Sequence, residues 1–290
     1  MSYSRRNFLR DSSLVGTGLL LSGLESCASK LPSNISTFGL QLYSLRDDLP
    51  ADPKGVLKQV ASFGYKQVES YSGDKGIFWG MKNTEFKSFL DGIGMEMPSS
   101  HCKWDGPEFD ALAAQAGEIG MKYLICPHLG AQKSIDDFKR FAAAFNKAGE
   151  ICRKHGLRFA YHNHDYSFKP VNGQLPQSVM MDETDPSLVD FEMDMYWVTD
   201  AGADIESWLA KYKNRFRLCH IKDRLKTINP KDDNNSTTLG EGSINFSHLL
   251  KVAAQNGVKY FIVEQERYAG TTPLKSAADN AVYMKTLKLT

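Results

Sequence analysis

The stretch RFAYHNHDYS, residues 158–167, places two histidines two positions apart on an apolar run. Side chains alternate faces along a strand, so His162 and His164 project to the same side. Imidazoles arranged in this way suit metal ligation or proton transfer, because their charge changes near neutral pH. Five of the seven histidines, at 101, 128, 162, 164 and 220, stand at the C-terminal ends of strand-like runs, whereas His155 and His248 fall in helical segments. The same ends carry Glu69, Glu192, Asp194, Lys222, Asp223, Glu264 and Glu266. A lone histidine at such an end is more often structural, and a lone carboxylate there often caps the next helix. The joint pattern points to a site. Several histidines with two carboxylates, converging from the later strands, make a mixed nitrogen and oxygen shell. That shell suits one divalent ion (Mn²⁺, Zn²⁺, Co²⁺ or Fe²⁺) and lacks the thiolates of a structural zinc site. The ion would also supply the partner that buried carboxylates need. Within each strand the deeper residue is better placed as a ligand and the outer one for substrate. On the sixth strand the choice between Glu192 and Asp194 stays open.

The elements that would position these residues alternate between two periodicities. Eight apolar runs of strand length occupy 38–44, 66–71, 95–101, 122–128, 158–164, 188–194, 216–223 and 259–266. Helical patterns lie between them, with start signals at Asp52-Pro53, Ser134 with Asp137, Asp204, Asn245 and Thr272-Pro273. Gly64, Gly94, Gly120, Gly156 and Gly257 mark helix ends just before the next strand. Eight strand–helix units in about 250 residues predict an α/β fold, a single-domain (β/α)8 TIM barrel whose active site forms at the C-terminal strand ends. A doubly wound open sheet alternates in the same way, but would show a glycine-rich loop after its first strand. GLQLYSLRDD, 39–48, has none, which also counts against a nucleotide cofactor. The polar stretch 226–243 is expected to be a long loop at the barrel mouth, as a lid or part of the pocket.

Hydrophobic residues at 42% and charged residues at 24% fit a globular chain with a sizeable core, and a net charge of +1 gives no argument for nucleic acid. SRRNFLR, 4–10, precedes an eleven-residue apolar run, 14–24, too short to span a bilayer but suited to an export signal with twin arginines. LESC, 24–27, resembles a lipoprotein cleavage box, with Glu25 a departure from it and cleavage beside CAS as an alternative. The expected organisation is a signal segment at 1–27, a linker at 28–36 and the barrel at 37–290. The protein is then exported and periplasmic, with membrane attachment only through a lipid on Cys27. Cys102, Cys126, Cys152 and Cys219 form no C-x-x-C pair and read as small buried hydrophobes.

GLQLYSLRD, YHNHDYSF, FEMDMYWVTDAG, CHIKD, LGEG and VEQE, in this order, resemble the sugar phosphate isomerase/epimerase group of the xylose isomerase-like barrels. That group also includes inosose dehydratases, ketose 3-epimerases and endonuclease IV-like proteins. The resemblance covers about residues 37–288 and implies one divalent metal at His162, Asp194, His220 and Glu264. Many relatives read ENH where this chain reads HNH, so His162 replaces a metal-binding glutamate, with His164 as the other candidate ligand. The epimerases use two metal-bound glutamates as an acid/base pair, and only Glu264 remains here.

The resemblance further implies removal of a proton beside a carbonyl, giving a metal-stabilised enediolate. Glu264 is the expected ligand and base. His164, His128 and Lys222 are further proton-transfer candidates, and His101 is one that is also counted with the pocket. Glu69, His101, Trp197 and Tyr43 are expected to line the sugar pocket. Export favours an unphosphorylated keto-sugar or keto-glycoside, with isomerisation, epimerisation or β-elimination after enolisation. A keto-glycoside lyase or hydratase and a non-catalytic carbohydrate-binding barrel are the alternatives. An endonuclease-type phosphodiesterase disagrees with the near-zero charge.

Overall fold

The computed structural model describes residues 33–232 and 234–290. The signal segment at 1–27, with its twin arginines and Cys27, and most of the 28–36 linker lie outside the described residues. Among the described residues, no helix is long and apolar enough to cross a membrane.

Eight parallel strands close into a barrel: β1 (Gly39–Gln41), β2 (Gln67–Tyr71), β3 (Glu96–His101), β4 (Tyr123–Cys126), β5 (Arg158–His162), β6 (Val189–Asp194), β7 (Phe216–Ile221) and β8 (Tyr260–Val263). β1 pairs with both β2 and β8, which closes the ring and rules out the doubly wound sheet. Every predicted run contains one of these strands. The strands are shorter than the runs, because the last residues of several runs leave the ladder. His128, His164, Lys222, Glu264 and Glu266 therefore stand just beyond their strands.

The connecting helices include α1 (Pro53–Phe63), α2 (Asn83–Gly92), α3 (Phe109–Glu118), α4 (Ile135–Lys154), α5 (Pro176–Glu183), α6 (Met195–Asp200), α7 (Ile205–Lys211), α8 (Phe246–Gln255) and α9 (Pro273–Thr286). Asp52, Asp204 and Thr272 accept backbone N–H groups as predicted, and Ser134 with Asp137 forms a reciprocal capping box. Asn245 precedes α8 but its side chain makes no cap bond. All five predicted helix-ending glycines follow their helices by one or two residues. The α4 stripe of Phe138, Ala142, Phe145 and Cys152 is buried against the sheet, an amphipathic face at helical spacing.

Two apolar layers hold the barrel. The larger fills the space between sheet and helices and includes Phe138, Phe145, Phe159, Phe191, Phe216 and Phe246, each with at most 1% exposure. The smaller plugs the barrel interior with Tyr123, Ile125, Ala160 and Leu218. Beneath it, at the start of β5 and β6, Arg158 pairs with Asp190, which also accepts a hydrogen bond from the Tyr123 hydroxyl at 3.1 Å. The N-terminal end of the barrel interior is therefore filled and cross-linked, and the cavity lined by the strand-end histidines opens at the C-terminal end. The four described cysteines are buried and unpaired, as expected of small hydrophobes.

None of the described residues of the 226–243 stretch lines the cavity at the barrel mouth. Asp223–Arg224 pairs antiparallel with Ser236–Thr237 to form a hairpin. The buried Asp223 carboxylate accepts N–H groups from Arg224, Gly240, Gly242 and Ile244. A Cβ at Gly242 would lie 2.1 Å from Asp223 Oδ1, so this position admits only glycine. The hairpin braces the site from outside: Ser236 Oγ accepts the N–H groups of Glu266 and Arg267, and Asn235 N–H donates to the Tyr196 hydroxyl.

Candidate metal and substrate site

The closed ring brings β5, β6, β7 and β8 side by side, and strand alternation turns His162, Asp194, His220 and Glu264 inward. Register places His162 beside Glu192 and Asp194 beside His220. Four ligand-type atoms of His162, Asp194, His220 and Glu264 lie within 4.8 Å of one another, and all four residues are buried. His162 Nε2 is 3.2 Å from His220 Nδ1 and 3.5 Å from Asp194 Oδ2. His220 Nδ1 is 3.2 Å from Glu264 Oε2.

Two of these residues declare their free atoms. The Pro127 carbonyl lies 3.2 Å from His162 Nδ1 and can only accept, so Nδ1 carries the proton and Nε2 offers a lone pair to the cluster. Asp194 Oδ1 accepts the N–H groups of Tyr196 and Trp197 as the N-cap of α6, while the fully buried Oδ2 has no partner. A lone pair and an orphaned carboxylate oxygen aimed at one point are what a divalent cation satisfies, and nitrogen with oxygen donors suits the ions named above. The residues fit such an ion.

Lys222 is fully buried, its Nζ 3.2 Å from Glu264 Oε2, 3.8 Å from Asp194 Oδ2 and in contact with Glu266. The rings of Tyr196 and Trp197 cover it at 5.1 and 5.0 Å. Burial alone would discharge the ammonium, but Glu264, Glu266 and Asp194 outweigh that and hold its pKa above the usual lysine range. Lys222 does not line the cavity. The structure sets Lys222 behind Glu264, where its charge balances three carboxylates.

A cavity of about 460 Å³ opens above the cluster. His162 and Glu264 reach its floor, Tyr43 and Tyr71 form one wall, and His128, His164 and Trp197 form another. Tyr43 is 39% exposed and meets Tyr71 edge to face at 5.2 Å. His164 stacks on Trp197 at 5.1 Å and meets His162 at 5.0 Å between ring centroids. His164 Nδ1 and Trp197 Nε1 are buried without protein partners. Burial, then the neighbouring imidazoles, hold His164 well below the usual histidine range, so the ring is neutral. His128 sits edge-on to His164 at 4.7 Å, and burial lowers its pKa as well.

Under this cluster lies a second ring of ionisable groups that the sequence reading did not assemble. His101 Nε2 is 2.8 Å from Glu192 Oε2, and His220 Nε2 is 2.7 Å from Glu69 Oε1. Burial, reinforced by the charge of Glu69, pushes Glu192 up to about 7. Burial also raises Glu69, but His101 and the hydrogen bonds from His220 and Ser99 outweigh it and bring it to about 2. Glu69 is fully buried and lies below the cavity, so the expectation that it lines the sugar pocket is corrected. His101 does reach the cavity, at its floor. Glu192 was visible as a strand-end carboxylate two residues before Asp194. Gln41 and Ser99, which bond Glu69, carried no signal of their own.

The family model described as xylose isomerase-like TIM barrel matches residues 57–287. An inosose dehydratase of Clostridium perfringens (strain 13 / Type A) is 29% identical over 164 residues, covering 52% of this chain and 54% of that protein. The chain thus spans about half the length of the curated relatives it matches. A sugar phosphate isomerase/epimerase from Parabacteroides distasonis superposes with a TM-score of 0.72 at 29% identity, covering 88% of this chain and 95% of the other. The IolI protein, solved with a bound zinc atom, superposes with a TM-score of 0.69 at 15% identity, covering 86% and 96%, and shares the fold.

Proposed function

The chain belongs to the xylose isomerase-like TIM barrel family, and we propose that it is a divalent-metal-dependent enzyme that enolises a keto-sugar or keto-glycoside. The observation that carries this reading is the convergence of the His162 lone pair and the orphaned Asp194 Oδ2 with Glu264 and His220 on the cavity floor. An ion held by His162, Asp194, His220 and Glu264 would supply Lewis acidity toward a carbonyl, worth several kcal/mol.

The chain's own residues account for the rest. Glu264 reaches the cavity, and the buried Lys222 ammonium holds its carboxyl ionised against the cost of burial. His164, neutral and with Nδ1 free, is the group that takes the proton from the carbon beside the carbonyl; a positioned base contributes roughly 10²–10⁴-fold. Trp197 Nε1–H and His128 offer hydrogen bonds to hydroxyl groups, and the Tyr43 and Tyr71 rings offer faces to sugar C–H surfaces.

β-Elimination is the outcome favoured after proton removal. The similarity to an inosose dehydratase supports it, and so does histidine rather than glutamate at 162, which leaves Glu264 without a matching second glutamate. The export signal read at 1–27 favours unphosphorylated substrates and a periplasmic location. Metal analysis of the purified protein, followed by turnover of 3-keto-glucosides and common ketoses in D₂O, tests the proposal. Proton removal beside the carbonyl is expected to show as deuterium uptake in isomerised or recovered substrate, or, where elimination consumes that hydrogen, as slower turnover of substrate deuterated there. Turnover with neither would sink enolisation, and sugar binding that persists without metal or turnover would favour a binding barrel.

A further inference from the structure

We infer that Glu69 is a positioning residue for the metal site: its carboxylate takes the Nε2–H of His220 and so leaves the Nδ1 lone pair facing the ligand cluster. This rests on the metal-dependent reading above.

Four atoms under the cluster form an alternating square of nitrogen and oxygen. His220 Nε2 is 2.7 Å from Glu69 Oε1 and 3.3 Å from Glu192 Oε2, while His101 Nε2 is 2.8 Å from Glu192 Oε2 and 3.3 Å from Glu69 Oε1. Each imidazole therefore has one short partner: Glu69 for His220 and Glu192 for His101. A carboxylate only accepts, so the short contact places the proton of a neutral His220 on Nε2. The opposite nitrogen, Nδ1, then presents its lone pair toward His162 Nε2 and Glu264 Oε2, each 3.2 Å away.

The Glu69 carboxylate is itself held in place from two neighbouring strands. Gln41 Nε2 donates to Oε1 at 2.7 Å and Ser99 Oγ donates to Oε2 at 2.6 Å. Gln41 and Ser99 are its partners in the ladder register, on β1 and β3. Three adjacent strands thus fix a carboxylate whose remaining direction points across the barrel at β7. Without it, His220 can carry its proton on Nδ1 and donate to Glu264, which closes the cluster with an internal hydrogen bond. A hydrogen-bond acceptor behind a ligating histidine is commonly worth about 10–100-fold in metal affinity.

The test uses Co²⁺ as the probe on the purified full chain, wild type and Glu69→Gln, with binding measured by competition against a chelator and stoichiometry by elemental analysis. Wild type is expected to take one equivalent; if it takes none, the metal reading and this inference both fall. Glu69→Gln is expected to keep one equivalent with about 10–100-fold weaker affinity. Unchanged affinity overturns the inference alone, as does loss of a whole equivalent, which would make Glu69 a ligand. Histidine ¹⁵N spectra of the wild type loaded with Zn²⁺ are expected to show His220 protonated at Nε2 with Nδ1 ligating, and ligation through Nε2 with an Nδ1–H would also overturn it. If Glu69→Gln fails to fold, Ser99→Ala frees Glu69 Oε2 and is expected to weaken Co²⁺ severalfold; no change there decides against the proposal.

Discussion

His162 Nε2 and His220 Nδ1 face each other at 3.2 Å, although His162 already gives its only neutral-state proton to the Pro127 carbonyl. In the metal-free protein the gap is satisfied by a proton on His220, which the surrounding carboxylates favour despite burial. In the proposed site a cation would replace that proton, so metal should bind the folded chain and stabilise it. At a free ion concentration of 100 Kd, linkage contributes about 2.7 kcal/mol. Differential scanning fluorimetry should show a melting temperature several degrees higher with Mn²⁺, Co²⁺ or Zn²⁺ than with a chelator. Identical curves for all four would count against the site.

In the proposed site the two Asp194 oxygens divide the work, Oδ1 capping α6 and Oδ2 facing the cation position. Asp194→Asn keeps an oxygen to cap α6 but removes the charged ligand, whereas Asp194→Ala removes both. Losing the cap costs about 0.5–2 kcal/mol. Asp194→Ala should therefore melt below Asp194→Asn in the presence of chelator, and both should lose metal on elemental analysis. Full metal retention by either would contradict the assignment.

The buried Asp223 carboxylate holds the hairpin through four N–H groups. Each buried donor left unpaired costs about 1–3 kcal/mol. Asp223→Ala should lower stability by about 3 kcal/mol or more in urea unfolding, with faster hydrogen exchange at Gly240 and Gly242. A loss under about 0.5 kcal/mol, the range of ordinary surface changes, would refute the clamp.

Tyr43 stands at the cavity rim between the Tyr71 ring and the Arg46 guanidinium. Tyr43→Ala should cost about 0.5–1.5 kcal/mol of stability, the worth of those contacts, and raise KM about tenfold with kcat retained, the signature of lost uniform binding. A fall in kcat at unchanged KM would move Tyr43 from binding to chemistry.

Trp197 Nε1–H is buried without a partner. Trp197→Phe keeps an aromatic face over Lys222 and His164 while removing the donor and part of the indole's area. A substrate hydroxyl paired with it should then bind about 0.5–1.5 kcal/mol more weakly, read as a raised KM; equal kinetics would mean that no hydroxyl reaches it.

The fold was largely legible in the sequence, because strand and helix periodicities are local properties. Two-residue alternation settled that His162 and His164 share a side, and helix caps such as Ser134 with Asp137 could be read from four residues. The same locality explains the misses. Whether a strand-end side chain reaches the cavity depends on how far the chain has turned out of the ladder. Lys222 read as a proton-transfer group and Glu69 as a pocket residue, and both are enclosed, one among carboxylates and one beneath the cluster.

By itself, then, the sequence determined the barrel, the end of it that carries ionisable side chains, and their pairing along each strand. Only the tertiary structure decided which of them meet. Glu69 and His220 are 151 residues apart and lie three strands apart across the closing seam of the ring, so their contact exists only once the barrel has closed. Closure also separated the two carboxylates of β6: Asp194 turns its orphaned oxygen toward the upper cluster, while Glu192, one layer deeper, pairs with His101.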